Sequence, residues 1–362
     1  MSVFDHAEFD EHESVHFFQD PASGLSAIIA VHSTALGPAA GGCRRWVYTS
    51  DADAITDVLR LSRGMTYKNA IAGLPFGGGK AVILVRNEQE KSPELFAAFG
   101  RAVESLQGRY ITAEDVGIAI DDMRQVRQQT RFVSGLPKSG ELAGGDPSPY
   151  TALGVFQGLQ ATVTAALGND SLQGVKVAVQ GVGSVGYHLC KLLHEAGAIL
   201  TIADVNRKNL QRVMDQMPAT EVAATDILFA DVDVLAPCAL GSVIDEQTIP
   251  QIRASVIAGA ANNQLALAND GQRLMDLGIL YAPDYVINAG GIINVAHEYN
   301  GDGSEEQVRS DIAQIPLRLR RIYDESSVTG QPTNIIADEM ARRIVIEKKS
   351  DDANLDGNRR IA

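Results

Sequence analysis

The sequence predicts a two-domain α/β protein whose second half is a doubly wound, Rossmann-type domain. The chain has 362 residues, and 45% of them are hydrophobic, which is enough to bury a large core. In the second half, apolar runs alternate with helical or loop segments; the runs lie at 175–180, 199–205, 233–240, 254–261 and 279–288. Such alternation is typical of a parallel sheet that is covered by helices on both faces.

The first half also mixes helices and strands, but the residues that separate its elements differ from those of the second half. Ser50 and Ser92 each precede a helical pattern, as N-cap residues do. Between these helices, residues 74–85 predict a glycine loop that leads into a strand. A segment rich in Gly, Ser and Pro at 134–149 predicts the hinge, and we expect a cleft between the two domains. A helical pattern at 333–347 predicts a C-terminal helix that packs back on both domains, and the residues after it have little to bury.

Charge and cysteine content narrow the function classes. The net charge of -14 argues against a nucleic-acid or anionic-membrane surface. The N-terminus is acidic where a signal peptide would be basic and then apolar, and no apolar run is long enough to span a membrane, so a cytoplasmic location is expected. Cys43, Cys190 and Cys238 lie far apart without ligand spacing, which fits a reducing compartment and predicts no metal site.

The strongest local signal is a glycine turn between a strand and a helix. It predicts a dinucleotide site, because such a turn lets a pyrophosphate approach the backbone at a helix N-terminus. Asp204 ends the next strand, where a carboxylate can bind both ribose hydroxyls and would repel a 2′-phosphate. NAD is therefore favoured over NADP, although the nearby Arg207 leaves NADP open. The turn consists of Gly181, Val182, Gly183, Ser184, Val185 and Gly186.

The first half supplies three candidates for reaction chemistry. Lys80 follows three glycines, where a backbone can approach a ligand and a lysine can be partly desolvated. Burial and a neighbouring cation both favour a neutral amine, which suits general-base catalysis. Asp115 lies at the end of a predicted strand, a common position for functional residues in α/β domains, whereas Lys68 could equally be a solvated residue near the end of a helix.

Motifs in both halves resemble those of the leucine, phenylalanine and valine dehydrogenases, within the glutamate dehydrogenase superfamily. The resemblance runs in order from about residue 20 to about residue 347. The motifs that carry it are GPAAGGCRRW (37–46), RLSRGMTYKNAIAGLPFGGGKAV (60–82), TAEDVG (112–117), DPSPYTALGV (146–155), AVQGVGSVG (178–186), AGAANNQL (258–265) and YAPDYVINAGGIINV (281–295).

The resemblance implies NAD-dependent interconversion of an L-amino acid with its 2-oxo acid and ammonia. It assigns residues 1–140, with a helix at about 331–350, to substrate binding, catalysis and oligomerisation, and residues 141–330 to NAD; 351–362 would form a flexible tail. Lys68 would hold the substrate carboxylate, Lys80 would activate water as general base, and Asp115 would shuttle protons at the amino nitrogen. The other implied contacts are Gly41, Gly42, Gly77, Gly78 and Asn262 at the substrate, and Thr151, Val205, Ala239 and again Asn262 at the cofactor.

The resemblance also bears on the substrate side chain. Glutamate-specific relatives place a polar or cationic group at the far end of the pocket, where this chain has Ala40 and Val295. An apolar wall would leave a second carboxylate unpaired, so glutamate is rejected as the main substrate. Ala40 should lengthen the pocket towards phenylalanine or tryptophan, while Ala113, Ile292 and Val295 keep it aliphatic.

Two other functions share some of these features. A regulatory module that binds NAD without chemistry would have no use for the two lysines and Asp115 in these contexts. A 2-hydroxy-acid dehydrogenase would pair a histidine with an arginine clamp, and none of the seven histidines lies in such a motif. The resemblance further implies a homo-oligomer, either a dimer or an octamer.

Overall fold

The chain divides into two units of contacting residues. We describe it from a computed structural model that covers residues 2–85, 91–136, 146–239, 241–301 and 303–359, with side chains as far as residue 351. The first unit comprises Met1–Gly145, Val295–Asp302 and Ala341–Ala362, and the second comprises Asp146–Asn294 and Gly303–Met340. Residues 137–145 of the predicted hinge lie outside the described residues.

The first unit is built on one mixed sheet. Its elements are β1 (Ser14–Asp20), β2 (Leu25–Ser33), β3 (Ala39–Trp46), α1 (Asp51–Ile71), β4 (Gly77–Leu84), α2 (Pro93–Ser105), β5 (Tyr110–Glu114) and α3 (Ile120–Arg127). The strand order is β1-β2-β4-β3-β5. β3 runs parallel to both β4 and β5, whereas β2 is antiparallel to β1 and β4.

Helices cover both faces of this sheet, and α1 and α2 begin at their predicted caps. The Ser50 side chain accepts a hydrogen bond from the backbone N–H of Asp53, and Ser92 does the same for Leu95. One core packs α1 against the face of the sheet that carries Val82. A second core packs α2 and α3 against the opposite face. Because both faces are covered, every residue of β4 is buried.

The second unit contains a six-stranded parallel sheet. Its elements are α4 (Ser148–Leu167), β6 (Lys176–Gln180), α5 (Ser184–Glu195), β7 (Ile199–Ala203), α6 (Arg207–Met214), β8 (Thr220–Glu221), β9 (Val234–Pro237), β10 (Val256–Ile257), α7 (Asp270–Asp276), β11 (Leu280–Tyr281), α8 (Asp284–Ile287), α10 (Glu305–Ile312) and α11 (Ile315–Thr329). Two further helices, α9 (Gly290–Asn300) and α12 (Thr333–Arg359), belong to this unit only as far as Asn294 and Met340, respectively. The strand order is β11-β10-β9-β6-β7-β8, and all neighbouring pairs are parallel. The predicted doubly wound α/β fold is confirmed.

Three local expectations differ from the structure. The glycine run at 77–79 is not a loop: it forms the start of β4, and Lys80 lies inside that strand. The apolar run at 279–288 is a strand only at Leu280–Tyr281, since Pro283 is followed by the short helix α8. Helix α12 continues to Arg359, so the backbone is helical within the segment 351–359 where a flexible tail was expected.

Helix α12 contributes residues to both units, because the boundary between Met340 and Ala341 falls within it.

Among the helices of the described residues, none combines the length and apolar character that crossing a membrane requires.

Candidate functional site

A buried lysine and a carboxylate form an ion pair in the first unit. Lys80 lies in the middle of β4, and Asp115 directly follows β5. The Lys80 Nζ and Asp115 Oδ2 atoms are 2.5 Å apart, and the two side chains are 8% and 23% exposed. Sequence reasoning named both residues separately, and the structure brings them into contact.

Gly42 explains how these two side chains meet. β3 lies between β4 and β5, so a side chain that follows β5 must pass over β3 to reach β4. A Cβ at position 42 would lie 2.8 Å from the Cβ of Asp115, well inside the separation at which carbon atoms pack. The missing side chain therefore provides the space through which Asp115 reaches Lys80.

The environment favours the ionised form of Asp115. Burial opposes its charge, but the charges of Lys80 and Arg44 outweigh burial and hold the pKa of Asp115 below its usual value. The backbone N–H of Val116 also donates a hydrogen bond to this carboxylate. Near neutral pH, Asp115 is thus a proton acceptor in direct contact with the Lys80 nitrogen. Such a pair can pass protons to and from a bound molecule.

Three further residues are connected to this pair by polar contacts, and none of them was identified as a site residue from the sequence. Arg44 Nε lies 3.6 Å from Asp115 Oδ2, and Arg44 Nη1 donates a hydrogen bond of 2.9 Å to Asp57 Oδ2. The Tyr48 hydroxyl donates to the same Asp57 oxygen at 2.8 Å. Arg44 lies within the motif GPAAGGCRRW, and in β3 it is two residues after Gly42, which puts both on the same face of the sheet.

Lys68 lies in the last turn of α1 and is half-buried. The helix approaches β4 closely at this level, since a Cβ at Gly78 would lie 2.1 Å from the backbone nitrogen of Thr66. Gly78 and Lys80 face the same side of β4 because they are two residues apart in a strand. The turn of α1 that carries Lys68 therefore packs on the sheet face to which Lys80 belongs.

Two of the predicted pocket residues occupy that face as well. Ala40 pairs with Gly78 across β3 and β4, and Ala113 pairs with Gly42 across β3 and β5. Paired residues of parallel strands point to the same side, so Ala40, Ala113 and Lys80 share one face. Ala40 is buried and Ala113 is half-buried. The structure thus groups these small apolar residues with the ion pair.

The remaining glycines of the predicted substrate site have a packing role that sequence reasoning did not foresee. A Cβ at Gly41 would lie 1.9 Å from the Gly79 carbonyl oxygen, and one at Gly77 would lie 1.9 Å from the Ser33 carbonyl oxygen. Together with Gly78 against Thr66, these contacts require glycine for the chain to pack on itself. Packing alone therefore accounts for Gly41, Gly77 and Gly78, and their contact with substrate stays a prediction.

The glycine turn of the second unit separates packing from ligand access. A Cβ at Gly186 would lie 2.0 Å from the Gly181 carbonyl oxygen, and one at Gly181 would lie 2.7 Å from the Ala239 Cβ. A Cβ at Gly183 would meet no atom within 4 Å. Gly183 also precedes the first residue of α5, Ser184, where backbone N–H groups are free of helical partners. Open space at this turn fits the pyrophosphate of a dinucleotide.

Asp204 closes the same turn from the end of β7. Its Oδ2 accepts a hydrogen bond of 2.9 Å from the Val182 backbone, and its Oδ1 accepts one of 2.7 Å from the Asn206 backbone. The neighbouring Val205 is 94% exposed. Arg207, which left NADP open in the sequence, forms an ion pair with Glu221. The carboxylate is therefore oriented by the turn, and the cation beside it has its own partner.

The other predicted residues fall into different parts of the chain. The Thr151 hydroxyl, in the first turn of α4, donates a 3.0 Å hydrogen bond to the carbonyl of Pro147, the residue that precedes the helix. The exposed Asn262 accepts a 2.7 Å hydrogen bond from the Asn288 side chain. Ile292 and Val295 are both half-buried in α9, but Ile292 belongs to the second unit and Val295 to the first.

Two histidines of the first unit form a buried structural pair. The rings of His12 and His32 are 4.7 Å apart, and His12 contacts Ser62 Oγ at 3.0 Å while His32 contacts Thr66 Oγ1 at 2.8 Å. Burial, followed by the charge of His12, lowers the pKa of His32 to about 3. Ser62 and Thr66 belong to α1, so the two histidines hold this helix against the rest of the unit. Their role is therefore explained by packing.

Comparison with known proteins identifies relatives of both halves. Residues 12–132 match the family model described as Glu/Leu/Phe/Val dehydrogenase, dimerisation domain, and residues 199–352 match the model described as Glutamate/Leucine/Phenylalanine/Valine dehydrogenase. A leucine dehydrogenase from Geobacillus stearothermophilus is 49% identical over 94% of this chain and 92% of its own. A phenylalanine dehydrogenase from Bacillus thermotolerans is 44% identical over 93% of this chain and 89% of its own.

A solved structure shows the same similarity. The crystal structure of L-tryptophan dehydrogenase from Nostoc punctiforme superimposes with a TM-score of 0.81, at 44% identity, over 94% of this chain and 97% of that chain. The resemblance drawn from the motifs is confirmed across both halves.

Proposed function

The chain belongs to the glutamate/leucine/phenylalanine/valine dehydrogenase family, and we propose that it catalyses NAD-dependent oxidative deamination of a non-acidic L-amino acid. The products are the 2-oxo acid and ammonia, and the reverse reaction is reductive amination. The observation that carries the proposal is the buried contact between Lys80 Nζ and Asp115 Oδ2. Acid-base groups of this kind are required because the reaction moves protons at both the amino nitrogen and the attacking water.

Three residues of the first unit each have one role in this scheme. Lys68 binds the substrate carboxylate by charge, which fixes the α-carbon. A nicotinamide cofactor held by the glycine turn and Asp204 would supply the acceptor for the hydride on that carbon, and loss of that hydride converts the amino acid to a 2-imino acid. Lys80 takes a proton from water as it attacks the imine carbon. Asp115 carries protons to and from the nitrogen until ammonia leaves. Asn262 would help to orient substrate and nicotinamide, and Thr151 would bind the nicotinamide carboxamide.

NAD is the proposed form of the cofactor. Asp204 presents a carboxylate at the end of β7, where it would repel a 2′-phosphate. Arg207 could neutralise that phosphate, but it is engaged by Glu221. The open space over Gly183 supports a pyrophosphate at the start of α5. Val205 follows Asp204 in the chain, and Ala239 lies beside the turn, since a Cβ at Gly181 would lie 2.7 Å from the Ala239 Cβ.

The side chain of the substrate is proposed to be branched-chain or aromatic. Ala40 and Ala113 lie on the sheet face of Lys80, and neither offers a partner to a second carboxylate. Relatives at similar identity are named leucine, phenylalanine, valine and tryptophan dehydrogenases, which spans both kinds of side chain. Ala40 favours the larger members because it fills little of the pocket. Ile292 and Val295 would complete an apolar wall.

We further propose a cytoplasmic homo-oligomer. Cys43, Cys190 and Cys238 are all free, which suits a reducing compartment. The model matched by residues 12–132 is described as a dimerisation domain. Size-exclusion chromatography with light scattering distinguishes a dimer or an octamer from a monomer.

The proposal is tested by measuring NADH formation at 340 nm with each of the twenty L-amino acids, with NAD and with NADP. Deamination of leucine, phenylalanine or tryptophan with NAD is expected, and glutamate should be a poor substrate. Lys80→Ala should lower kcat by orders of magnitude, whereas Lys68→Ala should chiefly raise the KM for the amino acid. Near-normal turnover by Lys80→Ala without an added amine would remove Lys80 from the mechanism.

A further inference from the structure

We propose that Arg44 is a positioning residue that orients the Asp115 carboxylate towards Lys80, and that Asp57 fixes Arg44 in turn. The inference rests on the proposed function, because it matters only if Asp115 transfers protons. It concerns two residues that have no place in the scheme above. Neither was identified from the sequence.

The guanidinium of Arg44 extends between two carboxylates from different elements. Its Nη1 donates a 2.9 Å hydrogen bond to Asp57 Oδ2 on α1, while its Nε lies 3.6 Å from Asp115 Oδ2 after β5. Arg44 itself lies on β3, between the strands that carry Lys80 and precede Asp115. A planar guanidinium held at one end has few orientations left at the other. The contact with Asp115 is therefore fixed in direction.

The hydrogen bonds to Asp57 anchor the guanidinium. The Asp57 side chain is only 12% exposed, and Tyr48 donates a second hydrogen bond of 2.8 Å to the same oxygen. Burial and the proximity of Asp57 both raise the pKa of Tyr48, so its hydroxyl remains a donor across the working pH range. A carboxylate with two such donors is itself well oriented. Asp57, which is fixed on α1, thereby holds the Arg44 guanidinium of β3 in one place.

Two cations approach the same oxygen of Asp115. Lys80 Nζ is at 2.5 Å and Arg44 Nε at 3.6 Å. A lysine carries its amine on a four-carbon stem with several rotatable bonds, whereas the Arg44 guanidinium is hydrogen-bonded to Asp57. When Lys80 interacts with water or substrate during turnover, Arg44 still attracts the carboxylate and keeps it over β3. The geometry therefore gives Arg44 a role in each proton transfer without contact with the substrate.

A purely structural role for Arg44 would have a different signature. If the residue only ties β3 to α1, its loss would lower stability and leave kcat of the folded enzyme unchanged. If it positions Asp115, kcat falls while the KM for the amino acid changes little, because Lys68 and not Arg44 would bind the substrate carboxylate. The division between kcat and KM separates the two roles.

The test compares Arg44→Gln with Arg60→Gln in the full-length enzyme, with leucine, phenylalanine and tryptophan as substrates. Arg60 also approaches Asp57, at 3.5 Å, but it contacts the other oxygen and its side chain is 49% exposed. The control removes the same charge from the same neighbourhood. Arg44→Gln should lower kcat by about tenfold or more, because displacement of a catalytic group by about 1 Å is costly. Arg60→Gln should stay within about twofold of wild type.

A second pair of measurements guards against misfolding. Arg44→Ala opens space beside Asp57, and guanidinium chloride at millimolar concentration should restore part of kcat where sodium chloride at equal ionic strength does not. Asp57→Asn keeps nearly the same shape and should lower kcat by about threefold or more with little change in KM. Circular dichroism and thermal unfolding establish that each variant is folded.

The outcomes for this inference and for the proposed function can be told apart. A wild-type enzyme that deaminates no amino acid would overturn the proposed function. An active wild type with Arg44→Gln at full kcat would overturn the positioning role alone. If Arg44→Gln does not fold, an unchanged kcat in Asp57→Asn overturns it instead. Equal rescue of Arg44→Ala by both salts would also contradict it.

Discussion

Replacing Gly42 with alanine should separate Asp115 from Lys80 and abolish most turnover. The added Cβ would lie 2.8 Å from both the Asp115 Cβ and the Glu114 carbonyl oxygen. Carbon atoms pack at about 3.5–4.0 Å, so Asp115 must move by about 1 Å. The Nζ to Oδ2 separation of 2.5 Å would then increase by a similar amount. A displacement of this size can cost about 100-fold in rate, and overpacking costs about 1–3 kcal/mol of stability.

The assay follows NADH formation at 340 nm with a saturating amino acid, together with thermal unfolding of the same preparation. Gly64→Ala is the matched control, because Gly64 lies within α1 and a Cβ there would meet no atom within 4 Å. Alanine is more favourable than glycine in a helix by about 1 kcal/mol, so Gly64→Ala should unfold at a higher temperature than wild type and keep its kcat. A folded Gly42→Ala enzyme with the kcat of wild type would refute the argument that Asp115 reaches Lys80 through the space at position 42.

Three further variants test the cofactor, the substrate pocket and the buried histidines. Asp204→Ala should raise the KM for NAD much more than that for NADP, and a wild-type preference for NADP would contradict the assignment. Ala40→Leu should lower kcat/KM for phenylalanine and tryptophan by about 10–100-fold and affect leucine less; equal losses would remove Ala40 from the pocket. His32 has a pKa lowered to about 3, so the unfolded chain binds the extra proton between about pH 3 and pH 6.5 and stability should fall as the pH drops through that range. His32→Gln should flatten this acid-side loss in urea unfolding measured from pH 7 to pH 4, and an unchanged pH dependence would count against the neutral buried histidine.

Helix caps and apolar runs predicted most of the fold, because each depends only on residues that are close together in the chain. Ser50 caps its helix through its own side chain, as the sequence indicated. The parallel sheet of the second unit follows from apolar runs at regular intervals. The exception at 77–79 is informative: three glycines favour a turn in isolation, but here the close approach of Ser33 and Thr66 requires them inside a strand. That requirement arises from tertiary packing, and no window of sequence contains it.

The site was predictable only in part for the same reason. Lys80 and Asp115 stand out because their immediate contexts are unusual. Arg44 and Asp57 have ordinary contexts, one beside Arg45 near the end of β3 and the other among the aspartates of α1. The role proposed for them comes from distances of 2.9 Å and 3.6 Å between separate elements. An arginine at a strand end is most often a solvated residue. Only the fold shows that this one lies between two carboxylates.

The glycines of the two units show how structure distinguishes residues that a motif treats alike. At Gly42 and Gly78 the missing side chain is replaced by the protein's own atoms, at 2.8 Å and 2.1 Å from where a Cβ would lie. At Gly183 nothing occupies that space. The first kind of glycine is required by folding, and its loss should be felt in stability or in the position of a neighbour. The second kind leaves backbone accessible, and its loss should be felt by a ligand. On this criterion Gly183 is the position in the turn at which a side chain would compete with a dinucleotide. Gly186 instead lets α5 approach the Gly181 carbonyl, and Gly181 packs against Ala239.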